Sequence, residues 1–175
     1  MTAIPAGGVV CACGALVPDV PELRADHLYV GAAPGCWRLY TELIGLETAD
    51  PGLAESRMLA VDAYMSQHPG APGRQAAQSL WVHLVGICLA LEFGMDGFET
   101  ARAKAAVAAP DATFEWLQPP ASMGALTVRD ALAARHPDGH RAAVRRWLES
   151  VWDAWAHAHA QIRERAAAVA GDRRP

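Results

Sequence analysis

Long apolar runs and a secretory leader are both missing from this chain of 175 residues. Although 52% of the residues are hydrophobic, no uncharged apolar run approaches the about 18 to 20 residues that a membrane-spanning helix needs. The first residues, MTAIPAGGVVCACGA, have no Lys or Arg ahead of a short apolar stretch, whereas a signal peptide starts with a positively charged region. We therefore predict a soluble, cytoplasmic protein without a membrane partner.

An excess of positive charge is missing as well. The formal net charge is −4 at pH 7, and the richest basic segment, with Arg141, Arg145 and Arg146, also carries Glu149 and Asp153. A nucleic-acid-binding surface needs clustered positive charge. We therefore expect no nucleic-acid partner.

Neither a glycine-rich phosphate loop nor a G-x-S-x-G nucleophile turn occurs in the sequence. No segment alternates convincingly between polar and apolar residues, whereas apolar spacings of three and four recur. The pattern predicts an all-α fold, a single helical domain over 1–175 built as a bundle of five or six helices. A Cys-containing N-terminal loop region should pack on one end of the bundle, with residues 1–10 and 171–175 loose.

Helix signals divide the chain after the N-terminal loop region. Asp50 followed by Pro51 is typical of a helix start, and Thr127 with Asp130 three residues later predicts a capping box. The segment from Gln75 to Phe93 is the most apolar, so it should lie in the middle of the bundle. The helices are predicted to begin near Cys36, Pro51, Gln75, Phe98, Thr127 and Asp138, the last running to about Ala170.

Four cysteines in a cytosolic protein indicate thiols or metal ligands more than disulfides. Cys11 and Cys13 precede a loop of more than 20 residues, and such a long loop is uncommon unless something fixes it. Cys36 falls in the first turn of a helix, where the helix dipole favours a thiolate. A metal would fix the loop; the alternative is apolar packing on the helices. Cys88 is interpreted as a small core residue.

The stretch Met58–Gly70, MLAVDAYMSQHPG, places several polar groups near one helix end. Asp62 lies one position off the apolar face, Tyr64 lies alongside that face, and Gln67 precedes the helix end. Pro69 disfavours helical dihedrals for the residue before it. His68 should therefore leave the helical path with its ring free to face groups beyond the helix.

His83 is the one strongly polar residue between Leu80 and Leu91. A buried imidazole without a partner would cost about 1 to 3 kcal/mol, so His83 should be hydrogen-bonded, for example to Ser79, or bound to a metal. His159 falls beside the apolar stripe of the last helix, whereas His157 should be solvated.

Zinc takes thiolate and imidazole ligands in a tetrahedral set. Cys11, Cys13 and Cys36 with one histidine would complete a Cys3His site for Zn2+. The one-residue spacing of the first two cysteines then needs an extended dipeptide. His68 is the favoured fourth ligand, His83 is close behind, and His27 also competes.

A second candidate site takes three histidines from different helices, as in helical-bundle metalloenzymes. His68, His83 and His159 would form it, and the cysteines would then be separate. The histidine spacings match no specific signature, so this site ranks below the cysteine site.

Six motifs in order resemble an uncharacterised bacterial family, a domain of unknown function common in actinobacteria. The motifs are CACGA at 11–15, GCW at 35–37, VDAYMSQHPG at 61–70, HL at 83–84, LTV at 126–128 and VWDAW at 151–155. Similar members often begin Cys-x-x-Cys-Gly, whereas this chain has Cys-x-Cys-Gly. The resemblance covers nearly the whole chain and implies no named activity.

Three functions follow from these residues. The first is a zinc-dependent enzyme, a hydrolase or group-transfer enzyme for a small-molecule substrate, in which Asp62, Tyr64 or Gln67 orients a metal-bound water. The second is a purely structural zinc site in a binding or regulatory module. The third is a thiol redox protein that uses Cys11 and Cys13 as a pair with Cys36 as the reactive partner.

Overall fold

The computed structural model describes residues 7–20, 29–109, 112–134 and 136–173. The protein is mostly helical, which confirms the predicted all-α helical bundle. Within the described ranges it has one two-stranded antiparallel hairpin and seven α-helices. These are β1 (Val9–Val10), β2 (Leu16–Val17), α1 (Pro34–Ala49), α2 (Ala54–Gln67), α3 (Arg74–Leu91), α4 (Gly97–Val107), α5 (Val128–Ala133), α6 (Pro137–Ala154) and α7 (His159–Val169).

Helix α2 begins and ends where its sequence signals predict. The Asp50 side chain accepts a hydrogen bond from the Gly52 amide at 2.9 Å, and a 3₁₀ turn over Pro51–Leu53 leads into the helix. At the other end His68 has φ −126° and ψ 54°, outside the helical region. Because Pro69 disfavours helical dihedrals for the preceding residue, the helix ends at Gln67.

Helix α3 is the centre of the bundle and contacts α2, α4, α6 and α7. Its fully buried side chains include Leu84, Ile87 and Leu89, and Cys88 is buried among them as predicted for a core thiol. Burial raises the pKa of the Cys88 thiol to about 12. His83 departs from this pattern because 17% of its side chain is exposed.

The prediction of one long C-terminal helix is wrong. Helix α6 ends at Ala154, a 3₁₀ turn covers Ala156–Ala158, and α7 begins at His159. The indole of Trp155 is fully buried and donates a hydrogen bond to the Ser66 carbonyl at 3.2 Å. The His159 imidazole bonds the Trp152 carbonyl at 2.9 Å. Tertiary contacts therefore interrupt a sequence that contains neither proline nor glycine at the break.

Capping boxes begin two of the shorter helices. The predicted box at Thr127 and Asp130 is present at the start of α5, and a second box, which the sequence interpretation did not include, joins Asp96 and Glu99 at the start of α4. Each box satisfies amide groups that the first helical turn leaves without a partner. No helix in the described ranges is both long and apolar enough to cross a membrane.

The N-terminal hairpin packs on the end of the bundle where α1 begins and α2 ends. Its strands pair Val9 with Val17 and Val10 with Leu16, and two residues per strand are too few for alternation to be visible in the sequence. The backbone approaches closely at Gly35, where an added Cβ would lie 1.9 Å from the Pro18 carbonyl oxygen. Only glycine fits there. His27 lies outside the described residues.

Candidate metal centre

Four side chains from three separate parts of the chain converge at the hairpin end of the bundle. They are Cys11, Cys13, Cys36 and His68, and their ligand atoms all lie within 4.8 Å of one another. Between 0% and 4% of each residue is exposed. The structure therefore brings together the three cysteines and the favoured histidine of the sequence prediction, in a group that could hold a metal ion.

A tight turn orients the first two cysteines. The Gly14 amide donates to the Cys11 carbonyl at 2.9 Å, and the Cys11 amide donates to the Ala15 carbonyl at 2.8 Å. Gly14 has φ +87°, a left-handed conformation that favours glycine. The expected extended dipeptide is thus wrong, because hydrogen bonds across the hairpin bend the chain and direct both sulfurs inward.

Helix ends place the other two groups. Cys36 lies in the first turn of α1, and its Sγ is 3.9 Å from Cys13 Sγ and 3.4 Å from His68 Nε2. The His68 Nδ1–H donates to the Tyr64 carbonyl at 2.7 Å, so Nε2 is the ring nitrogen that faces the sulfurs. In proteins, a hydrogen bond from the other ring nitrogen fixes the tautomer and orientation of a metal-binding imidazole.

The cluster concentrates negative charge. Hydrogen bonds from Cys13 and then Cys36 lower the pKa of the Cys11 thiol. Hydrogen bonds to Cys11 and Cys13, together with burial, raise the pKa of Cys36. Burial opposes a charged His68, but the cysteines raise its pKa to about 9. The Ala33 amide also donates to Cys11 Sγ at 3.3 Å, a hydrogen bond that favours the thiolate form of this cysteine.

Tyr64, a predicted catalytic residue, packs against this cluster. Its fully buried ring stacks on Tyr40 with centroids 3.9 Å apart and lies 4.1 Å from the His68 ring centroid. Burial, with the charge of Cys36, raises the pKa of the Tyr64 phenol far above its usual range. The structure thus places Tyr64 as an aromatic wall behind His68.

Gln67, the second predicted catalytic residue, is also fully buried. Its amide nitrogen donates to the carbonyls of Met123 and Leu126 at 2.7 and 2.8 Å. Its amide oxygen accepts the indole N–H of Trp147 at 2.9 Å. These bonds tie the segment before α5 to α2 and α6, so the structure gives Gln67 a packing role.

Asp62 and His83 form a separate group. His83 Nδ1 bonds Asp62 Oδ1 at 2.7 Å, and the ammonium of Lys104 bonds the same carboxylate oxygen. Neither Asp62 nor His83 belongs to the four-residue cluster. The sequence interpretation missed Lys104, although a signal was present: it is the only lysine in the chain.

The alternative three-histidine site is not assembled. His68 faces the cysteines and His83 faces Asp62. The His159 ring stacks on Trp152 with centroids 3.7 Å apart. Within the described ranges, the only group of three or more such side chains close enough to share a metal is the Cys3His cluster.

The fold and site define a helical protein with a buried Cys3His group beside an N-terminal hairpin. The chain belongs to DUF5946, a family of unknown function, whose model matches residues 8–156. The match confirms the resemblance to an uncharacterised family, and it spans all four residues of the cluster as well as Asp62 and His83. No curated protein matches the chain, and no solved structure does.

Proposed function

We propose that this protein binds one Zn2+ through Cys11, Cys13, Cys36 and His68, and that the zinc is structural. The observation that carries the proposal is the burial of four complete ligands in one cluster. A catalytic zinc site keeps a coordination position for water or substrate, whereas a structural site is closed by four protein ligands.

The spacing of the donor atoms supports a tetrahedral ion. Zinc lies about 2.3 Å from a sulfur ligand and about 2.0 Å from a nitrogen ligand. In a tetrahedral site, two sulfur ligands are then roughly 3.8 Å apart, and a sulfur and a nitrogen ligand are roughly 3.5 Å apart. The Cys13–Cys36 and Cys36–His68 separations are 3.9 and 3.4 Å. A tetrahedral set of thiolates with imidazole is typical of zinc.

The surroundings of the cluster support the structural role over the hydrolase or group-transfer role. A metal-bound water needs a neighbouring group to orient it. Tyr64 is fully buried behind the histidine, Gln67 uses its amide in three bonds to other parts of the fold, and Asp62 is paired with Lys104. None of the three offers a solvated polar group to this metal.

Bound zinc would hold the hairpin and the loop before α1 against the bundle. The Gly31 amide donates to the His68 carbonyl at 3.0 Å, so this loop already runs beside one ligand. Metal binding contributes on the order of 10 kcal/mol in small zinc domains. That energy would add to the packing of Val17 and Val30, which are buried in the core cluster.

Metal analysis of purified, untagged protein tests the site. We expect about one zinc per chain, lost in Cys36→Ser and His68→Ala. Cys88→Ser is the matched control, because Cys88 is an equally buried thiol outside the cluster. Retention of zinc in Cys36→Ser would overturn the ligand set.

Cobalt substitution tests whether the site is closed. Co2+ in a Cys3His set should show intense visible bands that do not change when thiocyanate or imidazole is added. A change in those bands would indicate an open position and favour the metal-dependent enzyme. A protein that never binds metal but readily forms a disulfide among Cys11, Cys13 and Cys36 would favour the thiol redox alternative.

A further inference from the structure

A small cleft runs along one face of α3, away from the cysteine cluster. Its volume is about 240 Å³, with Tyr29 on one side and helix residues at spacings of three and four on the other, namely Gln75, Gln78, Ser79, Val82 and His83. Pockets for drug-sized ligands measure about 300 to 1,000 Å³. The cleft therefore suits a smaller molecule, and its amides and hydroxyl can hydrogen-bond a carbonyl group.

His83 is the reactive group of this cleft. Its Nδ1–H donates to Asp62 Oδ1 at 2.7 Å, so the ring tautomer is fixed and Nε2 carries the lone pair. Within the described ranges no hydrogen-bond partner contacts Nε2, and 17% of the side chain is exposed. An imidazole held by a carboxylate with its other nitrogen accessible has the arrangement of a general base.

The groups behind His83 place a basic side chain against Asp62 in the core. Asp62 is fully buried, and Lys104, the only lysine in the chain, supplies the counter-charge on the same oxygen. Glycine at position 86 makes room for them, since a Cβ there would lie 2.5 Å from Asp62 Oδ2 and 2.8 Å from Lys104 Cδ. A buried ion pair is a weak source of stability compared with apolar packing, so this one calls for another role.

We propose that the cleft is a second site, independent of the metal, in which His83 catalyses the hydrolysis of small carboxylic esters. His83 Nε2 takes a proton from water as the water oxygen bonds to the acyl carbon. The bond from that carbon to the ester oxygen then breaks, and the proton on Nε2 goes to the departing alkoxide. Ester and water give acid and alcohol, and Asp62 is a positioning residue that keeps its hydrogen bond to Nδ1 throughout.

The test measures hydrolysis of p-nitrophenyl acetate by the zinc-loaded full chain. His83→Asn keeps an amide donor near the position of Nδ1, so the bond to Asp62 can persist while the base is removed. We expect kcat/KM to fall at least about tenfold. His157→Asn is the control: the exposed His157 imidazole bonds the Gln118 carbonyl at 3.0 Å, and its replacement should leave kcat/KM unchanged.

Two further variants separate base, cleft and scaffold. Ser79→Leu should fill the cleft and raise KM while His83 stays in place. The double variant Asp62→Asn with Lys104→Met removes both charges together and should lower kcat with little change in KM. Zinc content and thermal unfolding show that each variant is folded. The proposal is overturned if folded His83→Asn hydrolyses the ester within twofold of wild type, if Ser79→Leu leaves KM unchanged, or if His157→Asn loses as much activity.

Discussion

Removing the metal should release the N-terminal hairpin while the helical bundle stays folded. Ordering the 14 residues 7–20 costs about 1 kcal/mol each at the lower limit, or about 14 kcal/mol. Val17, the large side chain of this segment that is fully buried, contributes about 2 kcal/mol. A zinc ion contributes about 10 to 16 kcal/mol in comparable small domains. If the proposed zinc site is correct, zinc binding therefore balances the cost of ordering the hairpin.

Hydrogen exchange of the holo protein and of protein treated with chelator and reductant measures this release. The Cys11 amide, bonded to the Ala15 carbonyl, and the Gly31 amide, bonded to the His68 carbonyl, should lose protection when zinc is removed. Amides in the middle of α3, such as that of Leu84, should keep theirs because that helix is buried by four neighbours. Equal protection of the hairpin amides with and without zinc would refute the reasoning, and so would loss of protection throughout α3.

Three further predictions concern the charge and packing of the core. Zinc affinity should rise as the pH increases towards about 9 and should be lost in acid. The pKa of His68 is raised to about 9 in the metal-free cluster, and the ring must release its proton before it can bind zinc. Competition with a chromophoric chelator at several pH values measures the affinity, and a flat pH profile would contradict the prediction. Gly86→Ala should destabilise the protein by about 1 to 3 kcal/mol in chemical denaturation, because the added Cβ meets Asp62. Gly45→Ala, which has open space around it in α1, should instead stabilise the protein by up to about 1 kcal/mol. Equal changes in unfolding free energy for the two variants would show that the contact with Asp62 is unimportant. Gln67→Leu should lower the free energy of unfolding by at least about 2 kcal/mol, since it removes the hydrogen-bond partner of two buried groups and one partly buried group. An unchanged melting temperature would argue against that role.

The metal cluster could be predicted because local rules decide most of it. Pro69 restricts the backbone of His68, and Pro34 followed by Gly35 starts a helix with Cys36 in its first turn. Cysteine is a preferred zinc ligand, so residue type alone made Cys11 and Cys13 candidate ligands. What the sequence could not decide was the choice among the histidines, because that choice depends on which helix end meets the hairpin.

The group around His83 depends on contacts between helices and could not be predicted in the same way. The apolar segment around His83 indicated only that the ring needs a partner. Its partner Asp62 comes from α2 and Lys104 from α4, and no spacing along the chain links the three. The break before α7 has the same origin, since burial of Trp155 against the Ser66 carbonyl overrides an otherwise helical sequence.

The most direct test of the structural zinc site is the metal content of Cys36→Ser beside that of Cys88→Ser. Both changes remove the sulfur of a fully buried thiol, but only Cys36 lies in the cluster. We expect about one zinc per chain in wild type and Cys88→Ser, and none in Cys36→Ser. Zinc retained in Cys36→Ser, or missing from the wild-type protein purified under reducing conditions, would contradict it.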